Sequence, residues 1–277
     1  MTNNPSQSLA SLRGGIVLAG AGKMGGALLT GWLQAGLSAD RVAAIEPHPS
    51  AEIAALAKQG LRLNPAAGAI GDVSALVIAV KPQMFAAAAP LLKPHVSAST
   101  LVVSIMAGIT IAKIDAACGG AVVRAMPNTP AAIRRGITVA VPAANVSAEQ
   151  RGVADALLRA TGTVEWVPDE ALLDPVTAVS GSGPAYVFLL VEELARAGVA
   201  SGLPADLAAK LARETVAGSG ALLEQSDSDA ATLRQNVTSP GGTTAAALEI
   251  LMGQDGLATL MTRAIAAATR RSKELAK

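Results

Sequence analysis

The sequence is poor in the residue types on which several function classes depend. Its 277 residues include one cysteine, two histidines and 2% aromatic residues, and 22 Lys+Arg against 21 Asp+Glu give a formal net charge of +1. A lone Cys118 excludes an intrachain disulfide and suits a reducing compartment. His48 and His95 lie too far apart for the usual ligand spacing, so we predict no metal site. Scarce aromatics and a balanced charge argue against a nucleic-acid partner.

Long hydrophobic runs are also missing, although 51% of the residues are hydrophobic and the mean hydropathy is +0.43. The longest stretch without Asp, Glu, Lys or Arg, residues 94–112, contains a proline, a glycine and several hydroxyl residues. Such a stretch is a poor membrane-spanning helix. Residues 1–13 lack the basic and apolar regions of a signal peptide, and we expect a disordered tail there. We therefore predict a cytoplasmic protein without a membrane partner.

Short apolar runs alternate with helical patterns over residues 1–168. The predicted strands cover residues 15–19, 42–45, 75–80, 101–105, 121–125, 137–141 and 163–167. The predicted helices between them cover residues 24–36, 50–59, 83–92, 110–117 and 147–160. This alternation indicates right-handed βαβ units, and hence an α/β domain whose parallel sheet is covered on both faces.

The pattern changes after residue 168. Residues 169–277 contain no convincing strand, and helices are predicted at 183–200, 204–224, 228–236 and 243–276. The helix at 183–200 is apolar around most of its circumference, so other helices must bury it. A domain of this size needs a partner chain for that, and we expect a homodimer formed through residues 169–277.

A glycine motif follows the first strand and opens the first helix. It consists of Gly20, Ala21, Gly22, Lys23, Met24 and Gly25. Gly20 permits the tight turn, Gly22 allows close approach of a pyrophosphate, and Gly25 allows the helix to pack on the strand. The N-terminus of the helix offers unpaired N–H groups to the phosphates. The position predicts dinucleotide binding, the alternative being a purely structural turn.

An acidic residue ends the second predicted strand. Glu46 lies 21 residues beyond Gly25, where a carboxylate can accept hydrogen bonds from both ribose hydroxyls and would repel a 2′-phosphate. This favours NADH over NADPH as the cofactor. The alternative is an ordinary surface carboxylate beside Pro47.

Three further turns follow predicted parallel strands, and ligands of such sheets bind at the carboxyl ends of the strands. The candidate cofactor contacts are Val80, Lys81, Pro82 and Gln83 after the third strand, and Ala107 and Gly108 after the fourth. Lys81 could equally be a solvated loop charge. Asn128 lies between two prolines, and its amide could orient the carboxamide of a nicotinamide.

Two motifs of the second domain suggest a small-molecule site. Residues 180–184 (SGSGP) precede the apolar helix, and their glycines allow close approach of a ligand or of backbone. Residues 236–244 (NVTSPGGTT) precede a long helix. Free N–H groups of Gly242, Thr243 and Thr244, with the adjacent hydroxyls, could bind a carboxylate, and Asn236 and Ser239 are further candidate contacts. The alternative is a helix cap with Thr243 as the N-cap residue.

Residues 20–25, 80–83, 124–130, 174–186 and 236–244 together resemble the pyrroline-5-carboxylate reductase family, in order over about residues 14–270. The resemblance implies a Rossmann domain, a helical dimerisation domain, and interlocked dimers that often form larger rings. It implies NAD(P)H-dependent reduction of 1-pyrroline-5-carboxylate to L-proline. It also implies that Glu170 and Thr177 contact the substrate ring, where Glu170 can pair with the iminium or the product ammonium and Thr177 can donate or relay a proton. The alternatives are an acidic residue in the first turn of a helix for Glu170 and a packed hydroxyl for Thr177. The sequence departs from the family pattern at Met106, where small residues are usual, and at Glu46, where many members have a neutral or basic residue.

Reduction of an imine agrees with the absence of an obvious catalytic lysine from the start of the second domain. A protonated cyclic imine is already electrophilic, so the enzyme mainly has to position it. No lysine occurs between Lys113 and Lys210, and related hydroxyacid dehydrogenases need a general base where this chain has residues 186–188. The alternatives are another imine or 2-hydroxyacid oxidoreductase of the same two-domain plan, and a non-enzymatic dinucleotide sensor or scaffold.

Overall fold

The computed structural model describes Leu9, residues 14–66 and residues 69–276. It divides the chain into two compact units. The first contains residues 1–181 together with 269–277, and the second contains residues 182–268. Of the residues predicted to form a disordered tail, Leu9 is buried in the core of the first unit. The others up to residue 13 lie outside the described residues.

The first unit is built on an eight-stranded sheet with the order β3-β2-β1-β4-β5-β6-β7-β8. The strands are β1 (Gly15–Ala19), β2 (Val42–Ile45), β3 (Arg62–Leu63), β4 (Val73–Ile78), β5 (Leu101–Ser104), β6 (Ala121–Met126), β7 (Gly136–Pro142) and β8 (Gly162–Trp166). All neighbouring pairs except β6–β7 are parallel. This confirms the predicted α/β fold class.

The sheet differs from the prediction at two places. β7 runs antiparallel to β6, with Arg124 opposite Val141, whereas the sequence predicted an all-parallel sheet. Only residues 127–135 connect these two strands, and a parallel crossover needs a longer connection. The two-residue strand β3 was not predicted, because it is too short to show an alternating pattern.

Helices cover both faces of the sheet. They are α1 (Lys23–Gln34), α2 (Ala51–Leu56), α3 (Phe85–Leu92), α4 (Ile111–Cys118) and α5 (Ala148–Arg159). Ser50, Thr110 and Ser147 cap α2, α4 and α5 through side-chain oxygens that accept backbone N–H groups. The apolar residues form one core cluster on each face. Met106, unusual for the resembled family, is 2% exposed and is part of one of these clusters.

Residues 170–181 belong to the first unit, so the observed division lies after residue 181 rather than at the predicted 168. This segment contains the short helix α6 (Leu173–Val176) and a π-helical turn (Thr177–Gly181). Leu173 packs against Val139 and Val141 of β7. The burial of Leu173 explains why the segment stays with the sheet.

The second unit is helical. It contains α7 (Gly183–Ala200), α8 (Ala205–Gln225), α9 (Ala230–Asn236), α10 (Thr243–Leu251) and most of α11 (Leu257–Leu275). The predicted single helix at 243–276 is wrong, because α10 and α11 are separate. A Cβ at Gly256 would lie 2.3 Å from the carbonyl oxygen of Leu251, so the glycine permits a break that most residues would obstruct.

The apolar residues of α7 remain accessible in the single chain. None of its residues is buried, and Phe188 and Leu189 are 62% and 52% exposed. Helices α7 and α8 pack on each other through small residues, since a Cβ at Gly198 would be 3.2 Å from that of Ala208. Among the described residues, no helix combines the length and the apolar character that crossing a membrane requires.

Candidate active site

The predicted cofactor site lies at the point in the sheet where the strand order reverses, between β1 and β4. β2 and β3 are added on one side of β1, and β4, β5 and β6 on the other. The connections that follow β1 and β4 therefore diverge and leave a crevice at the carboxyl ends of these strands, the usual ligand position in doubly wound sheets.

The glycine motif forms the wall of this crevice between β1 and α1. Gly20 has φ +89°, and a Cβ there would lie 2.8 Å from the backbone of Ala79. A Cβ at Gly25 would lie 2.0 Å from the carbonyl oxygen of Gly20. Both glycines therefore let backbone segments meet, as the spacing predicted.

Gly22 differs from these two glycines, because a Cβ there would meet no atom within 4 Å. Gly22 is the N-cap residue of α1 and has no side chain that could cap the helix. The first N–H groups of α1 therefore have no intrahelical acceptor, and the space above them is open. A pyrophosphate fits this arrangement of donors and free room.

Glu46 reaches this glycine motif from the end of β2. Its Oε2 accepts a hydrogen bond from the N–H of Ala21 at 2.9 Å, and its Oε1 accepts one from the N–H of His48 at 3.0 Å. The side chain of Asn64 bonds to both backbone polar groups of Glu46, each at 2.8 Å. Glu46 is thus held beside the motif instead of pointing away into solvent.

The two turns after β4 and β5 lie at the same edge of the sheet. The backbone of Ala79 and Val80, just beyond the end of β4, meets Gly20, and Lys81 and Gln83 after them are exposed. At the second turn, Gly108 has φ +73°, and a Cβ there would lie 3.2 Å from the carbonyl oxygen of Leu275. Gly108 is therefore needed for contact with the chain's own last helix. Ala107 beside it is half-buried.

Asn128 follows β6 and is the N-cap residue of a short 3₁₀ turn. Its Oδ1 accepts a hydrogen bond from the N–H of Ile137 at 3.0 Å. That bond fixes the orientation of the amide, and within the described part of the chain its NH₂ group keeps no partner. The free NH₂ group can donate to a carboxamide oxygen.

Glu170 forms an ion pair with Arg124 of β6. Its Oε1 lies 2.7 Å from Nη1 of Arg124 and accepts the N–H of Ile111, the first residue of α4, at 2.8 Å. The side chain of Arg124 is 6% exposed and that of Glu170 is 29% exposed. This geometry ties residue 170 to β6 and α4, which favours an anchoring role over the predicted direct contact with the substrate.

Thr177 opens the π-helical turn that follows α6. Its hydroxyl donates to the carbonyl of Leu173 at 2.7 Å. Since a hydroxyl has one hydrogen, the oxygen of Thr177 is left as an acceptor. The turn lies against the end of β6, because a Cβ at Gly181 would be 2.6 Å from Cε of Met126. π-Helical turns are frequent at functional sites.

The predicted carboxylate-binding residues belong to the second unit. Gly242, not Thr243, is the N-cap residue of α10, and a glycine has no side chain that could cap the helix. The N–H of Gly242 donates to the carbonyl of Ser239 at 3.0 Å, so it is not free, contrary to the prediction. The donors without an intrahelical acceptor are instead the N–H groups of Thr243, Thr244 and Ala245, the first turn of the helix. Asn236 and Ser239 are exposed beside them.

Two titratable groups with shifted pKa values lie in the helical layers and not at the carboxyl edge. Burial lowers the pKa of His95 from its ordinary value. Burial also raises the pKa of the Cys118 thiol, although the charge of Lys93 opposes this shift. A thiol with a raised pKa is unreactive, which agrees with a packing role for Cys118.

Three residues of this region were not assigned roles from the sequence. Arg124 had a usable signal, because a charged residue inside the apolar run at 121–126 must find a partner when the strand is buried. Ser180 has a solvent-shielded Oγ without a hydrogen-bond partner in the part of the chain that the structure describes. Asn64 bonds to a residue 18 positions earlier, and no local pattern shows that pairing.

Two family descriptions match the chain. Residues 170–275 match "Pyrroline-5-carboxylate reductase dimerisation", and residues 15–108 match "NADP oxidoreductase coenzyme F420-dependent". The first covers the segment of Glu170 and Thr177 as well as the helical unit.

Relatives match over nearly the whole length. The chain is 40% identical to pyrroline-5-carboxylate reductase of Pseudomonas aeruginosa over 267 residues, which cover 95% of this chain and 97% of that one. A solved pyrroline-5-carboxylate reductase of Coxiella burnetii has a TM-score of 0.87 at 33% identity and covers 96% and 100% of the two chains. The Plasmodium falciparum pyrroline carboxylate reductase, solved with NADP bound, has a TM-score of 0.80 at 29% identity and covers 96% and 99%.

Proposed function

This chain belongs to the pyrroline-5-carboxylate reductase family and catalyses the NAD(P)H-dependent reduction of 1-pyrroline-5-carboxylate to L-proline, and we propose that NADH is its preferred cofactor. The family assignment sets aside the 2-hydroxyacid oxidoreductase and the non-enzymatic sensor. The observation that carries the cofactor proposal is the position of the Glu46 carboxylate on the N–H of Ala21.

The Glu46 carboxylate has room for two further hydrogen bonds. Two ionised oxygens offer about four lone-pair sites, and the N–H groups of Ala21 and His48 use two of them. The remaining sites can accept the two hydroxyls of the adenosine ribose. A 2′-phosphate would instead bring negative charge next to the carboxylate and would find the Ala21 N–H already bonded. The arrangement therefore supports discrimination against NADPH.

The remaining cofactor contacts follow the carboxyl edge of the sheet. The N–H groups at the start of α1 hold the pyrophosphate above Gly22, and residues 80–83 and 107–108 flank the crevice. The NH₂ group of Asn128 orients the carboxamide of the nicotinamide. The reduced nicotinamide, when bound, supplies the hydride.

The substrate requires positioning more than acid–base chemistry. We assign its carboxylate to the N–H groups of Thr243, Thr244 and Ala245, where the positive end of α10 also stabilises an anion. The oxygen of Thr177 is left as a hydrogen-bond acceptor, which suits the ring N–H of a protonated imine. Glu170 holds the segment that carries Thr177.

The apolar residues of α7 that are exposed in the single chain support the association of several copies of this chain. A surface with this many accessible leucine, valine and phenylalanine side chains is covered in a stable protein, and residues 170–275 match a dimerisation family. The chain is therefore a homo-oligomer. We propose a dimer through the helical unit, a larger ring of dimers, and a cytoplasmic location, which sedimentation and cell fractionation would test.

The activity test compares NADH and NADPH in the reduction of 1-pyrroline-5-carboxylate by wild type, Glu46→Ala and Thr244→Val. We expect kcat/KM to favour NADH in the wild type and Glu46→Ala to reduce this preference by roughly tenfold or more, since hydrogen bonds to a charged group contribute about 1.5–3 kcal/mol. Thr244→Val keeps the backbone N–H but removes the adjacent hydroxyl, and this loss of a donor to the carboxylate should raise the KM for the substrate. Turnover that favours NADPH and is insensitive to Glu46→Ala would refute the cofactor proposal and leave the reductase assignment intact.

A further inference from the structure

Asn64 lies immediately after β3 and makes three short hydrogen bonds with β2 and the residue beyond it. Its backbone N–H donates to the carbonyl of Ala44 at 2.8 Å. Its side-chain Oδ1 accepts the N–H of Glu46, and its Nδ2 donates to the carbonyl of Glu46, both at 2.8 Å. One amide thereby satisfies both backbone polar groups of a residue that lies beyond the end of the strand.

This pairing determines where the Glu46 side chain can go. Glu46 follows Ile45, the last residue of β2, so no neighbouring strand holds its backbone. Because the Asn64 amide replaces such a strand, the Cα of Glu46 is fixed, and its carboxylate reaches the N–H groups of Ala21 and His48. Without the amide, the backbone at residue 46 would be free to turn and the carboxylate would lose its fixed direction.

The backbone conformation at position 64 is specific to a short list of residues. Asn64 has φ +48°, in the left-handed region that asparagine, aspartate and glycine adopt most readily. Glutamine carries the same amide but fits this conformation poorly. Of these residues, asparagine alone combines the backbone conformation with both a donor and an acceptor at the right reach.

We propose that Asn64 is a specificity-determining positioning residue: its amide clamps the backbone of Glu46 so that the carboxylate is directed at the adenosine ribose, and it thereby sets the discrimination between NAD(H) and NADP(H). The inference rests on the proposed function of Glu46 at this ribose. It assigns to Asn64 no contact with the cofactor.

Asn64→Gly is the variant that tests the clamp. Glycine accepts the positive φ, keeps the N–H that donates to Ala44, and removes only the amide. Asn64→Ser is a second variant, whose short side chain cannot span both groups of Glu46. The matched control is Asn145→Gly, since Asn145 is also exposed and also bonds through its side chain, to the carbonyl of Gly120 at 3.1 Å. Gly120 precedes β6 and so lies at the opposite, amino edge of the sheet.

The measurement is the ratio of the Kd of NADP⁺ to the Kd of NAD⁺, obtained by calorimetric titration of the full-length protein, with the melting temperature recorded for each variant. We expect Asn64→Gly to lower the ratio by roughly three- to tenfold, the equivalent of one ordinary hydrogen bond. Glu46→Gln should lower it further, the double variant should match Glu46→Gln alone, and Asn145→Gly should leave it unchanged.

Three outcomes contradict the proposal in distinguishable ways. A ratio that shifts in Glu46→Gln but not in Asn64→Gly and Asn64→Ser overturns the clamp and leaves the role of Glu46 standing. A ratio that is the same in wild type and Glu46→Gln overturns the role of Glu46 itself, and the clamp with it. If Asn64→Gly changes the Kd ratio by the same factor in the wild type and in the Glu46→Gln background, Asn64 acts independently of Glu46. That result also overturns the proposal.

Discussion

Replacement of Glu170 by alanine separates an anchoring role from a catalytic one. The Oε1 of Glu170 lies 2.7 Å from Nη1 of Arg124 and 2.8 Å from the backbone nitrogen of Ile111. Glu170→Ala would leave the Arg124 guanidinium, whose side chain is 6% exposed, without its partner and would also remove the acceptor of the Ile111 N–H. We therefore expect a loss of stability from a residue that the family resemblance would place at the substrate.

The magnitude follows from the burial of the two partners. Removing one partner of a fully buried ion pair costs about 3–5 kcal/mol. Because the side chain of Glu170 is 29% exposed, water can partly replace it, and we expect about 2–3 kcal/mol. For a chain of this size the melting temperature should fall by about 4–10 °C. Glu170→Gln keeps an acceptor oxygen and should lose roughly half as much.

The assay combines thermal melting with steady-state kinetics on the same preparations. Glu165→Ala is the control, because Glu165 is exposed and makes no ion pair within the described residues. Arg124→Met combined with Glu170→Ala should melt above Glu170→Ala alone, since the unpaired buried charge is gone. A Glu170→Ala variant with an unchanged melting temperature and a greatly reduced kcat would refute the anchoring role.

Two further predictions concern the glycine motif and a buried histidine. Gly25→Ala places a Cβ 2.0 Å from the Gly20 carbonyl oxygen and should cost at least about 1–3 kcal/mol of stability. Gly22→Ala places its Cβ in open space and should weaken NAD⁺ binding at an unchanged melting temperature. Equal melting temperatures of the two variants would contradict this prediction. Burial lowers the pKa of His95, so the unfolded chain binds more protons between the folded and the unfolded pKa. Stability contributed by neutral His95 should therefore be lost as the pH falls below about 6.5. Wild type should lose more stability between pH 7 and pH 5 than His95→Gln, with the exposed His48→Gln as control, and parallel pH profiles of wild type and His95→Gln would contradict this.

The sequence predicts best what depends on neighbouring residues. The glycine motif at 20–25 opens α1 directly after β1, because turn, cap and strand signals all lie within a few positions of one another. The direction of β7 was mispredicted, because apolar periodicity carries no information on strand orientation; the shortness of the connection at 127–135 was the available signal. The break between α10 and α11 was missed although Gly253 and Gly256 both lie within it, because each glycine taken singly is tolerated inside a helical pattern.

The parts of the site that were not predicted are pairings over long separations. Arg124 and Glu170 are 46 residues apart, and Glu46 and Asn64 are 18 apart. The Glu46–Asn64 pairing forms when the parallel strands β2 and β3 align their carboxyl ends, and the Arg124–Glu170 pairing forms when the turn after β8 meets β6 and the start of α4. Both pairings therefore depend on the tertiary structure. A single sequence shows the charged or polar residue but does not show its partner.

The hydrogen bonds at the carboxyl edge bear on which reaction the site can perform. The Glu46 carboxylate accepts two backbone N–H groups, the Glu170 carboxylate accepts a guanidinium and a backbone N–H, and the hydroxyl of Thr177 donates its proton to a carbonyl. Each of these three groups is already engaged in hydrogen bonds to the protein, whereas the oxidation of an alcohol would require a general base aimed at the substrate hydroxyl. An electrophilic imine needs no such base, because hydride addition to the protonated form gives the amine directly. The bonded state of these side chains is therefore the arrangement expected of a reductase that works by holding its substrate in place.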